Sequence, residues 1–116
     1  MFKSLFSQLD AALPGLKAVS VVGNDGIEVD QFVKQDIAHD VLSAEMTGIT
    51  RTLERLQAEL NLGKLHEVVI RTDSQNVFIF SLGNGLFILL VTDASAATGK
   101  ARYEVQRIAH KFSELL

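Results

Sequence analysis

The residues best able to do chemistry in this chain are a Gly99-Lys100 pair, three histidines and two aspartates. Gly99-Lys100 lies in ASAATGKA, Ala94 to Ala101, between a strand-like apolar run and a helix-like one. That is where a phosphate-binding loop of the form GxxxxGK[ST] would have it. Two groups are missing. Ala94 replaces the first glycine, and Ala101 replaces the Ser or Thr whose hydroxyl would hold Mg²⁺. A bare helix N-terminus still attracts anions, but without those two groups no nucleotide site is expected; Gly99 is expected instead to let the helix start close against the sheet. His39, His66 and His110 are far apart and fit no metal-ligand spacing. No Gly-x-Ser-x-Gly elbow occurs. Asp73 and Asp93 fall at strand ends, where aspartate serves turns. No catalytic, cofactor-binding or metal-ligating residue is assigned, and an enzyme is not expected.

Composition narrows the remaining classes. The chain has 116 residues, 47% hydrophobic and 22% charged, with a formal charge of -3, which gives no electrostatic reason to expect nucleic acid. One domain over residues 1–116 is expected, long enough to bury a core without disulfides or a structural metal. The absence of cysteine fits a reducing compartment. No apolar run reaches membrane-spanning length and the first residues do not read as a signal peptide, so a cytoplasmic protein without membrane insertion is expected.

The elements that position these residues centre on Leu65 to Asp93. It reads as three strands joined by turns at Thr72-Asp73-Ser74 and Gly83-Asn84-Gly85, Gly and Asn supplying the positive φ that short hairpins need. In the second strand Val77 and Ile79 oppose Phe78, Phe80 and Leu82. In the third, Leu86, Ile88 and Leu90 oppose Phe87, Leu89 and Val91. Both faces are apolar, so the sheet requires helical layers on both sides. Upstream, Phe2, Leu5, Phe6, Leu9 and Leu13 stripe a short helix over 2–13 that Pro14-Gly15 stops. Leu16 to Val22 and Ile27 to Val33 flank the turn Gly23-Asn24-Asp25-Gly26. The second of these carries Glu28, Asp30 and Gln31 and suits a sheet edge.

The longest helix is expected from about Asp40 to Leu62, with Asp40 as N-cap and Gly63 as C-cap. Leu42, Met46, Ile49, Leu53, Leu56 and Leu60 recur at steps of 4, 3, 4, 3 and 4. That seam is expected to lie on the sheet. A flanking face carries Val41, Ala44, Gly48 and Thr52 with Glu45, Arg55 and Glu59. Mid-helix glycine costs roughly 1 kcal/mol relative to alanine. Either Gly48 admits the backbone of another helix, or it packs on its own sheet, or it is neutral. A last helix, roughly Ala96 to Leu115, turns Ala101, Val105, Ile108, Ala109, Phe112 and Leu115 inward and shows Lys100, Arg102, Arg107 and Lys111 as a solvated face.

In this order the chain resembles the Roadblock/LC7 family. The carriers are VSVVGNDGIEV from Val19 to Val29, LGNGLFILLV from Leu82 to Val91, and TGKAR from Thr98 to Arg102. The chain looks most like stand-alone bacterial members of the MglB type. The resemblance implies an α/β (α+β), profilin-like fold: a three-layer α-β-α sandwich around a five-stranded antiparallel sheet, in the order α-β-β-α-β-β-β-α. It also implies a homodimer whose sheets join edge to edge and whose long helices pack antiparallel, regulating a small Ras-like GTPase. In MglB-type proteins that regulation is activation by repositioning the GTPase's own groups, without an arginine finger.

The residues meet this reading at two places. If the first hairpin joins the Leu86 strand, the strand from Leu65 is left as an open edge carrying Val68, Val69 and Ile70. Ala44 and Gly48 are the helix positions where a second copy would approach. Glu45, Arg51, Thr52 and Arg55 are the candidates for partner contact. The alternatives are a passive scaffold or dynein-light-chain-like adaptor with no effect on GTP hydrolysis, and a small-molecule sensor with a pocket between sheet and helices.

Overall fold

The computed structural model describes residues 2–34 and 37–115. The elements run α1 (Lys3–Ala12), β1 (Leu16–Gly23), β2 (Glu28–Val33), α2 (His39–Leu60), β3 (Glu67–Arg71), β4 (Gln75–Gly83), β5 (Leu86–Asp93) and α3 (Thr98–Glu114). The five strands form one antiparallel sheet in the order β2-β1-β5-β4-β3. This is the expected three-layer arrangement, with the first hairpin joined to β5 and with β2 and β3 as the two edges.

Strand alternation divides the core as the sequence predicts. One sheet face presents Val19, Val21, Phe78, Phe80, Ile88 and Leu90, which pack with Phe2, Leu5, Phe6 and Leu9 of the α1 segment and with Ala101, Val105, Ile108 and Phe112 of α3. The rings of Phe2, Phe6 and Phe112 meet at centroid distances of 5.2–6.1 Å and close the joint between the two helices. Leu115 does not join them. It lies just beyond α3 and is 49% exposed. The other face presents Val22, Leu89 and Ile79, with Val77, Phe87 and Val68 half-buried around them, and among the described residues α2 is the one helix over it.

The turns follow local chemistry. The β4–β5 hairpin turns through Asn84 at φ 56° and Gly85 at φ 74°, the left-handed pair that matches strand twist. The β3–β4 turn needs no positive φ. The Thr72 hydroxyl donates to the Gln75 carbonyl at 2.8 Å and accepts the Gln75 N–H at 3.1 Å. Gly15 has a different role: a Cβ there would stand 2.9 Å from that of Ala96, so only glycine lets the α1–β1 turn lie against the β5–α3 turn.

The ends of α2 differ from expectation. Its first residue is His39, so Asp40 sits in the first turn, where its charge suits the helix dipole, rather than at the cap. At the far end Asn61 takes the left-handed conformation, φ 56° and ψ 46°, while the Leu62 N–H reaches back to the Gln57 carbonyl at 2.9 Å. Asn61, reached before Gly63, therefore ends the helix.

Two edges, two treatments. β2 alternates half-buried and exposed, carries Glu28, Asp30 and Gln31, and its register to β1 is broken by a bulge at Val21/Val22. β3 pairs with β4 without a break and carries Val68, Val69 and Ile70, all half-buried. Charge and bulge blunt an edge strand; a regular apolar one is open to pairing.

The Asp30 carboxylate accepts the Phe2 N–H at 3.0 Å, so β2 anchors the start of α1. That bond holds the carboxyl below its ordinary value of 3.8. The ionised form is favoured in the folded state, so the stabilisation is complete above 3.8 and fades as pH falls below it. Asp30→Asn is expected to lower stability by roughly 1 kcal/mol at neutral pH. Urea unfolding should show this deficit narrowing toward pH 3, whereas a constant deficit would mean that ionisation contributes nothing.

Candidate functional site: an uncovered helix face and an open sheet edge

The side of α2 buried deepest on the sheet is centred on hydroxyl residues, and of the leucine seam Leu42 and Met46 pack on the sheet cluster beside them. Ser43, Thr47 and Thr50 are buried, at 1%, 8% and 2% exposure. Leu42, Met46 and Leu53 are half-buried, while Ile49, Leu56 and Leu60 are 39%, 40% and 64% exposed. At about 100° per residue the helix is turned by roughly 100° from the expected seating. Small hydroxyl side chains allow it because each finds a partner. Thr47 and Thr50 donate to the carbonyls of Ser43 and Met46 at 2.8 and 2.9 Å, and Ser43 donates to Glu28 at 2.9 Å. Glu28 also accepts from Ser20.

This seating orients the whole helix. Ser43 bonds β2, and Gly26 approaches Ala44 and Thr47, which stand 3.5 and 3.6 Å from where its Cβ would lie. That side of α2 therefore faces the β1–β2 hairpin. Ile49, Leu56 and Leu60 lie on the opposite flank, toward β4 and β3. There the sheet itself is incompletely covered, since Val68, Ile70 and Val77 are only half-buried. The exposed flank of α2 and the β3 edge thus both leave apolar residues uncovered on this side of the sheet.

The candidate residues separate on this frame. Glu45, Gly48 and Thr52 line one shallow groove with Ile49 and Leu53, about 300 Å³ in volume. A Cβ on Gly48 would meet nothing within 4 Å, so the glycine does not pack on its own sheet. Ala44 is exposed but lies on the hairpin side. Arg55 is exposed and makes no hydrogen bond or ion pair among the described residues. Arg51 is engaged: its guanidinium donates to the Asn24 carbonyl and fastens the tip of the first hairpin to α2. Val68 and Ile70 point to the α2 face, and Val69 packs with the core beneath α3.

Spacing could have revealed the hydroxyl seat, because Ser43, Thr47 and Thr50 recur at steps of 4 and 3. A search for apolar periodicity passes over them. The Arg51–Asn24 contact leaves no sequence signal.

The chemistry-bearing residues are dispersed. Gly99 has nothing within 4 Å of its Cβ position and does not approach the sheet. Lys100 and Asp93 border an open cleft of about 420 Å³ beside Pro14 and Thr92, with no other charged group lining it. Among the described residues no three His, Asp or Glu side chains could share a metal ion, and no helix is long and apolar enough to cross a membrane. His66 and His110 are exposed, and the His39 side chain lies outside the description. The cavity between α2 and the sheet, about 10 Å³, holds one water-sized sphere at most.

What remains is a three-layer α-β-α unit with one helix flank and one sheet edge unpartnered. The model of the Roadblock/LC7 domain matches residues 4–92, and the chain belongs to that family. Its sequence is 26% identical over 101 residues to the uncharacterized protein MJ1340 of Methanocaldococcus jannaschii, covering 87% of this chain and 88% of that one. Its fold matches a Roadblock/LC7 domain from Streptomyces avermitilis with a TM-score of 0.87 at 18% identity, covering 97% of this chain and 94% of that one. The same TM-score relates it to MglB with a tetrameric arrangement, at 14% identity over 97% of this chain and 85% of the other.

Removing the hairpin contact is expected to loosen only the hairpin. Arg51→Ala should speed amide exchange at Asn24 to Ile27 while lowering global stability by less than about 1 kcal/mol. Unchanged exchange there would show that the hairpin tip holds its position without Arg51.

Proposed function

We propose that residues 1–116 act as a single Roadblock/LC7 domain that forms a cytoplasmic homodimer, without enzymatic activity or cofactor of its own. The dimer is a platform for a small Ras-like GTPase in a bacterial setting and promotes GTP hydrolysis. The observation that carries the reading is an exposed Ile49, Leu56 and Leu60 flank on the helix that covers the sheet face of Val68, together with an unbroken β3 edge whose Val68 and Ile70 are only half-buried. A two-fold axis perpendicular to the sheet would cover both at once, since an isologous interface uses the same patch twice. The tetrameric arrangement of the similar MglB supports self-association. Family membership supports a regulatory or binding role. On this reading Gly48, Val68, Val69 and Ile70 serve the joined surface, Ala44 is left out of it by its place beside the first hairpin, and Glu45, Arg51, Thr52 and Arg55 stand along the helix pair presented to the GTPase.

A passive scaffold uses the same surface. What separates the two is differential affinity, because a platform that binds the GDP and GTP states equally shifts no equilibrium between them.

Sedimentation of the wild type should give the mass of two chains at micromolar concentration. Ile70→Asp should give one chain, and Gly48→Leu should weaken the pair by about tenfold or more. Single-turnover GTP hydrolysis by a GTPase encoded beside this protein should accelerate on adding the wild type and not on adding Ile70→Asp. Binding without acceleration and without preference for either nucleotide state would select the scaffold, and a monomeric wild type would end both readings.

A further inference from the structure

The β3 strand reads Glu67-Val68-Val69-Ile70-Arg71, and it complements itself when reversed. A two-fold axis perpendicular to a sheet preserves its faces. Side chains of neighbouring residues point to opposite faces, so the axis must pass beside a residue that meets its own copy. With Val69 at the axis, Val68 faces the partner's Ile70 and Glu67 faces the partner's Arg71, each pair occurring twice. No neighbouring register does as well. Centred on Ile70, the axis sets Arg71 against the partner's Val69 and Glu67 against the partner's Asp73. Centred on Val68, it sets Glu67 against the partner's Val69.

The side chains of the edge suit that pairing. Arg71 is exposed and has no hydrogen bond or ion pair among the described residues. Glu67, on the same sheet face two positions away from Val69, is already held: Nε of Arg102 in α3 donates to its two carboxylate oxygens at 2.7 and 2.9 Å. The carboxylate is thereby fixed at the rim of the open edge, 30% exposed, with acceptor capacity left for a second guanidinium. Directly opposed residues of antiparallel strands stand about 4.5–5.5 Å apart, well within reach of an ion pair.

We propose that in the edge-to-edge dimer Val69 stands on the two-fold axis, and that the two Glu67–Arg71 cross-strand pairs fix this register and select like chains as partners. This rests on the self-association reading above and gives it a specific geometry. The energetic weight lies in discrimination: exposed ion pairs add little affinity, whereas like charges directly opposed are unfavourable and exclude wrong registers and wrong partners.

Four chains test it: the wild type, Arg71→Glu, Glu67→Arg and the Glu67→Arg/Arg71→Glu swap, each checked for an intact fold by circular dichroism. Sedimentation and native mass spectrometry should show self-association of either single variant weakened by about tenfold or more, and the swap restored to within about threefold of wild type. Mixing the two single variants should give mixed dimers well above the roughly half expected of random exchange, because both of their cross pairs are then attractive. Arg71→Glu leaves the Arg102 contact untouched, so its defect reports on the partner alone. Single variants that dimerise like the wild type and mix at random would overturn the pairing while leaving the dimer in place. A monomeric wild type would overturn self-association itself.

Discussion

Everything in this fold answers to a sheet whose faces are both apolar. A strand residue cannot hide its side chain by turning over, because its neighbours fix the alternation, so each face must be covered by something else. On one side α1 and α3 bury the central strands, leaving Phe32, Val69, Leu82 and Leu86 partly covered, and their joint is packed with aromatic rings. On the other side 22 residues of α2 lie across the β1, β5 and β4 side chains and leave the last strand half-covered. The imbalance of two helices against one defines the exposed surface.

How α2 is seated matters as much as how many helices there are. A helix resting on leucines would have used up its apolar side on its own sheet. With Ser43, Thr47 and Thr50 at the centre of its buried side and Leu42 and Met46 beside them, it leaves Ile49, Leu56 and Leu60 exposed. The hydroxyls bear burial because the helix's own carbonyls and Glu28 accept from them, an arrangement that needs no outside partner. The apolar residues, by contrast, have no such internal solution. A polar seat combined with an apolar flank leaves this lid with an uncovered apolar side.

Much of this was legible in the residues. The hairpin turns and strand alternation followed from Gly and Asn at the turns and from the period-two pattern of Asn76 to Val91, whereas the strand order and open β3 edge depended on the first hairpin joining β5, a pairing that no local pattern states. The seam of α2 was assigned correctly at Leu42 and Met46, which pack on the sheet, and missed at Ile49, Leu56 and Leu60, which stay exposed, for a physical reason. A stripe of leucines reports that one side of a helix leaves water, but not whether the cover is its own sheet or another molecule. Helix ends were legible to within a few residues, and Asn61 displaced Gly63 because both tolerate the left-handed conformation and Asn61 comes first. Gly99 illustrates the opposite error: a glycine at a helix start suggests close approach, yet its Cβ position is empty. The Arg51 and Arg102 contacts join residues far apart in the chain and only the folded arrangement reveals them.

The bulge and charges of β2 have a consequence for how far assembly can go. A sheet with two receptive edges is a monomer of a polymer, since each added copy presents a fresh edge to the next. Here only one edge is receptive, and a symmetric contact at β3 would consume that edge on both chains. Lateral growth would then terminate at ten strands, capped at either end by a strand unsuited to continue it. In a pair joined through β3, the register shift opposite Val21 and Val22 would thus act as a chain terminator, separating a closed pair from a fibre.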